Sequence, residues 1–173
     1  MKNAIIIILL ISLLSCEDKT SKKEVQKETW IESFRSLRQN IYQKRSSNFM
    51  KFPFEAKTMS AWSFVESKDK TDPAISEQDF ERHYFEIFEK EFIDLLLKVK
   101  SKSFEKTKQY ELEKKEGNTT YGLLCEYNSE TEILKTYMTY EFMEELESVE
   151  SMQGFVFKKE KEGFVLIDIE AAG

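Results

Sequence analysis

The feature that most constrains the fold is a change in hydrophobic spacing at Gln109. Before this residue, apolar side chains recur at every third or fourth position, as they do along one side of a helix. After it the period becomes two, with Tyr110 and Leu112 alternating with Glu111 and Glu113. Helices followed by a run of strands predict an α+β fold, in which the helices pack on one face of an antiparallel sheet.

The first predicted helix begins after Thr29. Thr29 and Glu32 have the spacing of a capping box, in which a hydroxyl and a carboxylate bond free amides of the first turn. We expect the helix to end near Ser46-Ser47-Asn48. Its apolar stripe consists of Trp30, Phe34, Leu37 and Ile41.

The second predicted helix is longer and is expected to form the central rod of the core. Ser76 and Asp79 supply a capping signal at its start, and Lys98, Lys100 and Lys102 favour the negative pole of the helix dipole at its end. The broad stripe between them contains Phe80, Tyr84, Phe85, Ile87, Phe88, Phe92, Leu95, Leu96 and Val99.

Aromatic segments and a polar loop separate the two helices. Residues 49–54 and 61–65 are dense in aromatic side chains, and Pro53 favours extended segments at a sheet edge or along the helices. Residues 67–73 have the composition of a polar turn.

Three turn signals, at Gly117-Asn118, Asn128-Ser129-Glu130 and Lys161-Glu162-Gly163, divide the second half of the chain into strands. We predict strands from Tyr121 to Tyr127 and from Ile133 to Phe142, and a final hairpin joining residues 155–157 to 164–169 around Lys161-Glu162-Gly163. Residues 141–150 fit either a strand or a helix, because Phe142, Leu146 and Val149 have helical spacing.

The order of these elements resembles the NTF2-like or cystatin-like domains of many uncharacterised bacterial lipoproteins. The resemblance covers roughly residues 29–171 and includes the terminal run Gly163-Phe164-Val165-Leu166-Ile167-Asp168-Ile169. It implies two main helices packed on one face of a curved antiparallel sheet. It is a likeness of pattern, and it supplies no catalytic residue.

The first residues predict export and a lipid anchor. Lys2 precedes an apolar run that is shorter than the roughly 20 residues a membrane span needs. The end of the run, Leu13-Leu14-Ser15-Cys16, resembles a bacterial lipobox, which implies that residues 1–15 are a signal peptide and that Cys16 carries lipid, palmitate included. An ordinary secretory signal cut near Ser15 and a single-pass anchor are the alternatives.

The remaining chain divides into a tether and a domain. Residues 16–28 comprise the lipidated cysteine and a charged tether, and residues 29–173 are predicted to form a single α+β domain. Glu17-Asp18 resembles the signals that send some lipoproteins to the outer membrane or the cell surface. We therefore expect the protein in the cell envelope, bound to the membrane through lipid on Cys16.

Charge and cysteine content exclude several classes of function. The formal net charge is −6, which argues against a nucleic-acid binder, since such proteins neutralise phosphate with lysine and arginine. With Cys16 lipidated, Cys125 has no intrachain disulfide partner, and its place in a strand alternation favours a buried thiol over a reactive one. No cofactor or metal site is predicted, because the chain has a single histidine and no glycine-rich phosphate loop.

Glu91 is the one polar residue that interrupts the apolar row of the second predicted helix. On a continuous helix it falls between the directions of Phe80 and Tyr84, with His83 at the margin. A carboxylate in a pocket there would be desolvated, with a raised pKa suited to acid–base work. The alternative is an exposed helix end, where Glu91 reaches water or pairs with a lysine.

Three functions follow as hypotheses. The preferred one is a lipid-anchored, non-enzymatic protein that binds an envelope or extracellular protein. The second is a small-ligand site or an NTF2-like enzyme around Glu91, His83 and Tyr84. The third is an inhibitor or immunity lipoprotein, which predicts an exposed aromatic surface between Phe49 and Phe64.

Overall fold

A computed structural model describes residues 29–55, 74–144 and 147–172. Over these residues the chain is α+β, with helices in the first part and an antiparallel sheet in the second, as the change in spacing predicts. The predicted signal peptide, Cys16, the tether and the segments 61–65 and 67–73 lie outside the described residues. Every helix within the described residues falls short of the length and hydrophobicity that a bilayer crossing requires.

Helix α1 spans Trp30–Tyr42, and its capping box is confirmed. The Glu32 amide donates to Thr29 Oγ1 at 3.4 Å, and the Thr29 amide donates to Glu32 Oε2 at 3.0 Å. The predicted stripe is buried except at Trp30, which is half-buried and stacks on Tyr127 at 4.4 Å between ring centroids. A single turn of 3-10 helix, Ser46–Asn48, follows the end of α1.

The prediction of one continuous second helix is wrong. The chain forms α2 (Glu77–Arg82), α3 (Tyr84–Ile87), α4 (Lys90–Lys98) and α5 (Ser101–Thr107), so that the described residues contain five α-helices where two main helices were expected. The cap is confirmed, because Ser76 accepts a hydrogen bond from the Asp79 amide. The interruptions fall at His83, at Phe88-Glu89 and at Val99-Lys100.

The break has a geometric cause. Four aromatic side chains at intervals of four, Phe80, Tyr84, Phe88 and Phe92, are all buried. Each interval of four turns a straight helix by about 40° beyond a full circle, so that three intervals rotate the last ring by roughly 120° from the first. The interruptions allow all four rings to remain in the core, where successive rings lie 5.2–5.8 Å apart.

Five strands form an antiparallel sheet in the order β3-β4-β5-β6-β7. They are β3 (Gln109–Glu116), β4 (Thr119–Asn128), β5 (Ile133–Glu144), β6 (Glu147–Glu160) and β7 (Gly163–Ala172). The predicted turns at Gly117-Asn118 and before Gly163 are confirmed, and the region left open at 141–150 belongs to β5 and β6 wherever it is described. Two short strands, β1 (Phe54–Glu55) and β2 (Ala74–Ile75), pair separately.

The core lies between the helices and one face of this sheet. Cys125, Thr136 and Phe155 are neighbours across three strands, and all three are fully buried. The rings of Phe88 and Phe92 lie 4.6 Å and 4.7 Å from the ring of Phe155. One face of the curved sheet is therefore covered by helices, as expected.

Candidate functional site

Tyr84 is a structural residue of the core. Its side chain is 2% exposed, and its hydroxyl donates a hydrogen bond to the backbone oxygen of Ile41 near the end of α1. Burial raises the pKa of the Tyr84 hydroxyl above its usual value. This hydrogen bond holds α3 against the end of α1 and satisfies the phenol within the fold.

His83 lies at the junction of α2 and α3. Its backbone ends one helix and begins the next, and its Nδ1 lies 3.0 Å from Glu86 Oε2. The Glu86 side chain is well exposed, so the pair is at the surface of the helical layer.

Glu91 lies in the first turn of α4 and is half-exposed. Its electrostatic neighbours are Glu89, at the cap of the same helix, and Lys114 of β3. Within the described residues, no hydrogen bond or ion pair joins Glu91 to His83 or Tyr84. The prediction placed these three side chains on one continuous helix, and the break between α3 and α4 removes that basis; the pocket itself stays a prediction.

Charged groups at the start of α4 and on β3 interact with one another. Burial, and next the nearby Glu91 carboxylate, raise the pKa of Glu89. Lys114 Nζ lies 2.5 Å from Glu116 Oε1, and this hydrogen bond raises the pKa of Lys114 and lowers that of Glu116. Within the described residues, no group of three His, Cys, Asp or Glu side chains is arranged to hold a metal ion.

Cys125 is fully buried on β4, so the prediction of a buried thiol is confirmed. Burial raises the pKa of the Cys125 thiol far above its usual value, because the thiolate would be desolvated. A thiol that is protonated and inaccessible is a poor nucleophile.

A polar cleft of about 340 Å³ lies between the 3-10 turn and the turn that joins β6 to β7. The Leu166 amide donates to the Phe49 backbone oxygen at 2.7 Å and holds the two walls together. Lys51 Nζ bridges them with a 2.6 Å ion pair to Glu160 Oε1. Two lysines and two glutamates line the cleft, so its charge favours neither anions nor cations.

The aromatic side chains of residues 49–54 pack against the core and do not form an exposed surface. Phe49 and Phe54 are 0% and 5% exposed, and Phe52 packs against the core with its ring 5.7 Å from that of Phe80. The remainder of the region in which an inhibitor would expose aromatic residues lies outside the described residues.

Two other aromatic side chains are strongly exposed, one at the last residue of α1 and one on α3. Tyr42 is 58% exposed and Phe85 is 57% exposed. Lys44, two residues after Tyr42, places its Nζ 3.7 Å from the centroid of the Phe85 ring. Arg45 follows and is exposed. Tyr42, Lys44, Arg45 and Phe85 are called here the aromatic–cationic surface.

Sequence reasoning missed this surface because it assigned Phe85 to the buried stripe. Phe85 directly follows Tyr84, about 100° away around a helix, so the short helix α3 cannot bury both against the same neighbours. Tyr42 carried a signal of its own, since it is a large aromatic residue directly beside Ile41, outside the stripe of the first helix.

No protein-family model, curated protein or solved structure matches this chain.

Proposed function

We propose that this protein is a lipid-anchored, non-enzymatic binding protein of the bacterial cell envelope, which docks a partner protein on its aromatic–cationic surface. The observation that carries the proposal is the joint exposure of Tyr42 and Phe85 around the end of α1. Aromatic side chains are enriched among the residues that dominate protein–protein binding energies, because they bury a large area at a small cost in conformational entropy.

The burial or pairing of the candidate catalytic side chains favours a binding role over catalysis. The Tyr84 hydroxyl is engaged by a backbone oxygen, His83 is paired with Glu86, and Cys125 is buried. A nucleophile or general base needs access to its substrate, whereas Tyr84 and Cys125 are buried, and burial raises the pKa of each of these two groups above its ordinary value.

The position of the surface suits a protein tethered at its N-terminal end. The tether would enter at Thr29, the cap of α1, whereas Tyr42 is the last residue of the same helix. Thirteen residues of helix separate the two ends by about 20 Å. Lipid on Cys16 would therefore hold the domain by the end opposite to the aromatic–cationic surface, which leaves that surface available to another protein.

The anchor is tested by replacing Cys16 with serine in the full-length protein. We expect Cys16→Ser to abolish labelling by a radioactive or clickable palmitate and to move the protein out of the membrane fraction, or to leave the signal uncut. Unchanged labelling and unchanged membrane partitioning would remove the anchor from the proposal.

Docking is tested by photo-crosslinking in the membranes of cells that produce the lipoprotein. A benzophenone amino acid in place of Phe85 should give one discrete protein adduct, and the adduct should disappear when Tyr42→Ser is added. The matched control is the same replacement at Phe142, which is 38% exposed and belongs to β5 of the sheet, whereas this surface belongs to α1, the residues after it and α3. Equal adducts from both positions, or none from position 85, would contradict the proposal.

A further inference from the structure

We infer that the aromatic–cationic surface recognises an acidic segment of its partner that carries an aromatic anchor; this inference rests on the function proposed above. The juxtaposition that carries it is the ammonium of Lys44 over exposed Phe85, with exposed Tyr42 and Arg45 within two residues of Lys44 in the chain.

The two cations are free to meet carboxylates from outside. Within the described residues neither Lys44 nor Arg45 takes part in an ion pair, whereas the glutamate of α3, Glu86, is engaged by His83. The contacts of Lys44 Nζ are aromatic, at 3.7 Å from the ring centre of Phe85 and 5.8 Å from that of Tyr84. The rings hold the ammonium by cation–π attraction without neutralising its charge.

The backbone holds Lys44 in an unfavourable conformation. The Lys44 amide donates to the Ile41 oxygen at 3.1 Å, and the Arg45 amide donates to the Asn40 oxygen at 2.8 Å, which is the hydrogen-bond pattern that ends many helices. The central position of this motif usually belongs to glycine, because it needs a positive φ, and Lys44 has a φ of 55°. Lysine at this position costs stability relative to glycine, and its ammonium lies over the Phe85 ring.

The net charge of the chain bears on which anionic occupant fits this surface. Exposed Lys44 and Arg45 attract carboxylates locally, and salt screens charges that lie more than about 10 Å away. A short acidic segment would therefore meet mainly these two cations. An anionic bilayer would also face the rest of the chain, whose formal net charge is −6, so an acidic protein segment is favoured over a membrane surface as the occupant.

The aromatic part sets the second requirement. Tyr42 and Phe85 each leave more than half of the side chain accessible, and burying apolar area favours binding at about 25 cal/mol per Å². Aromatic rings prefer offset or edge-to-face partners, so that an aromatic anchor gains contact energy beyond its area. Acidic side chains around such an anchor would reach Lys44 and Arg45.

The test uses the full-length lipoprotein in a non-ionic detergent and measures binding by calorimetry. The probes are a glutamate-rich peptide with a central phenylalanine, the same peptide with lysine in place of glutamate, and the glutamate peptide with serine in place of phenylalanine. We expect the glutamate–phenylalanine peptide to bind most tightly, and its affinity to fall as salt is raised, since salt screens exposed charges.

Single substitutions test which residues form the binding site. Lys44→Gly, Arg45→Ser and Phe85→Ser should each weaken the glutamate–phenylalanine peptide by about ten-fold, a change equivalent to the loss of one good contact. Lys44→Gly should also raise the melting temperature, because glycine accepts the positive φ, so that loss of binding cannot be ascribed to unfolding. Phe142→Ser is the matched control and should leave binding unchanged. Equal affinity for the lysine peptide, or full affinity in Lys44→Gly, would overturn the inference.

Two further outcomes separate the inference from the proposed function. A discrete adduct at position 85 together with no preference for the glutamate peptide would leave the docking function in place and overturn the acidic chemistry. Binding to anionic vesicles that is lost in Phe85→Ser would assign the surface to lipid and overturn the inference.

Discussion

The helical layer and the sheet differ in how closely they follow their sequence patterns. In the sheet, the positions of alternating apolar residues and turn signals coincide with the strands and hairpins that form. In the helical layer, one long stripe became the three helices α2, α3 and α4, and Phe85 moved from the expected core to the surface. The difference shows that a period of two repeats without drift along a strand, whereas side chains at intervals of four rotate steadily around a helix.

The largest expected loss of stability comes from substituting a residue at the break between α3 and α4. Phe88 lies at this break, is fully buried, and has ring neighbours in Phe49, Tyr84, Phe92 and Phe155. Phe88→Ala should lower the free energy of unfolding by about 3–5 kcal/mol, through lost transfer energy and the cavity that remains. Urea denaturation followed by circular dichroism measures it.

The control for Phe88→Ala is Phe85→Ala, which changes a residue of the same type three positions earlier that is 57% exposed. Its effect should stay within about 0.5 kcal/mol. Similar losses in the two variants would show that the helix is continuous in solution and that the broken arrangement is wrong.

The junction of α4 and α5 gives the second effect. Arg38 of α1 donates from Nη1 to the Val99 oxygen at 2.7 Å and from Nη2 to Ser101 Oγ at 3.0 Å, and its desolvation lowers the pKa of the guanidinium. Arg38→Met should cost about 2 kcal/mol, because hydrogen bonds from a charged donor to carbonyls at a helix end are lost. The same denaturation series measures it, and exposed Arg35→Met should be neutral; equal values would remove the role assigned to Arg38.

A substitution in the sheet is expected to raise the free energy of unfolding. Thr136 is fully buried on β5, and its Oγ1 has no hydrogen-bond partner within the described structure. Thr136→Val keeps the shape and removes an unsatisfied hydroxyl, so it should raise the free energy of unfolding by about 1 kcal/mol. Thr139→Val, at an exposed position of the same strand, should change little. Destabilisation by Thr136→Val would indicate a bound water or another partner for the hydroxyl.

The smallest effect depends on pH and concerns the start of α4. Burial and the neighbouring Glu91 raise the pKa of Glu89 in the folded protein above its unfolded value. Below the unfolded pKa the carboxyl is protonated in both states and has no effect; as pH rises, the folded state resists ionisation and loses stability. The free energy of unfolding of wild type should therefore fall relative to Glu89→Gln between about pH 4 and pH 7. A constant difference across this range would mean that Glu89 is solvated like an ordinary surface carboxylate.

Much of the candidate site could not be predicted, for reasons visible in particular residues. The pairing of His83 with Glu86 and the separate position of Glu91 depend on where the helix breaks, and the break depends on rings supplied by distant segments, such as Phe49 and Phe155. The aromatic–cationic surface depends in addition on Tyr84 reaching Ile41, forty-three residues earlier. No short window of sequence contains both Tyr84 and Ile41, or both the helix break and the distant rings that pack against it.

The sequence by itself determined the features that arise from residues close together in the chain. The capping interactions at Thr29 and Ser76, the turn at Gly117 and the burial of Cys125 on a strand alternation each depend on residues only a few positions apart. The tertiary structure decided which turns of helix survived, which face of α3 was buried, and that Lys44 lies over Phe85. Local hydrogen bonds and periodicity act before any core exists, whereas the close packing of rings from separate elements sets the final positions only when those elements meet.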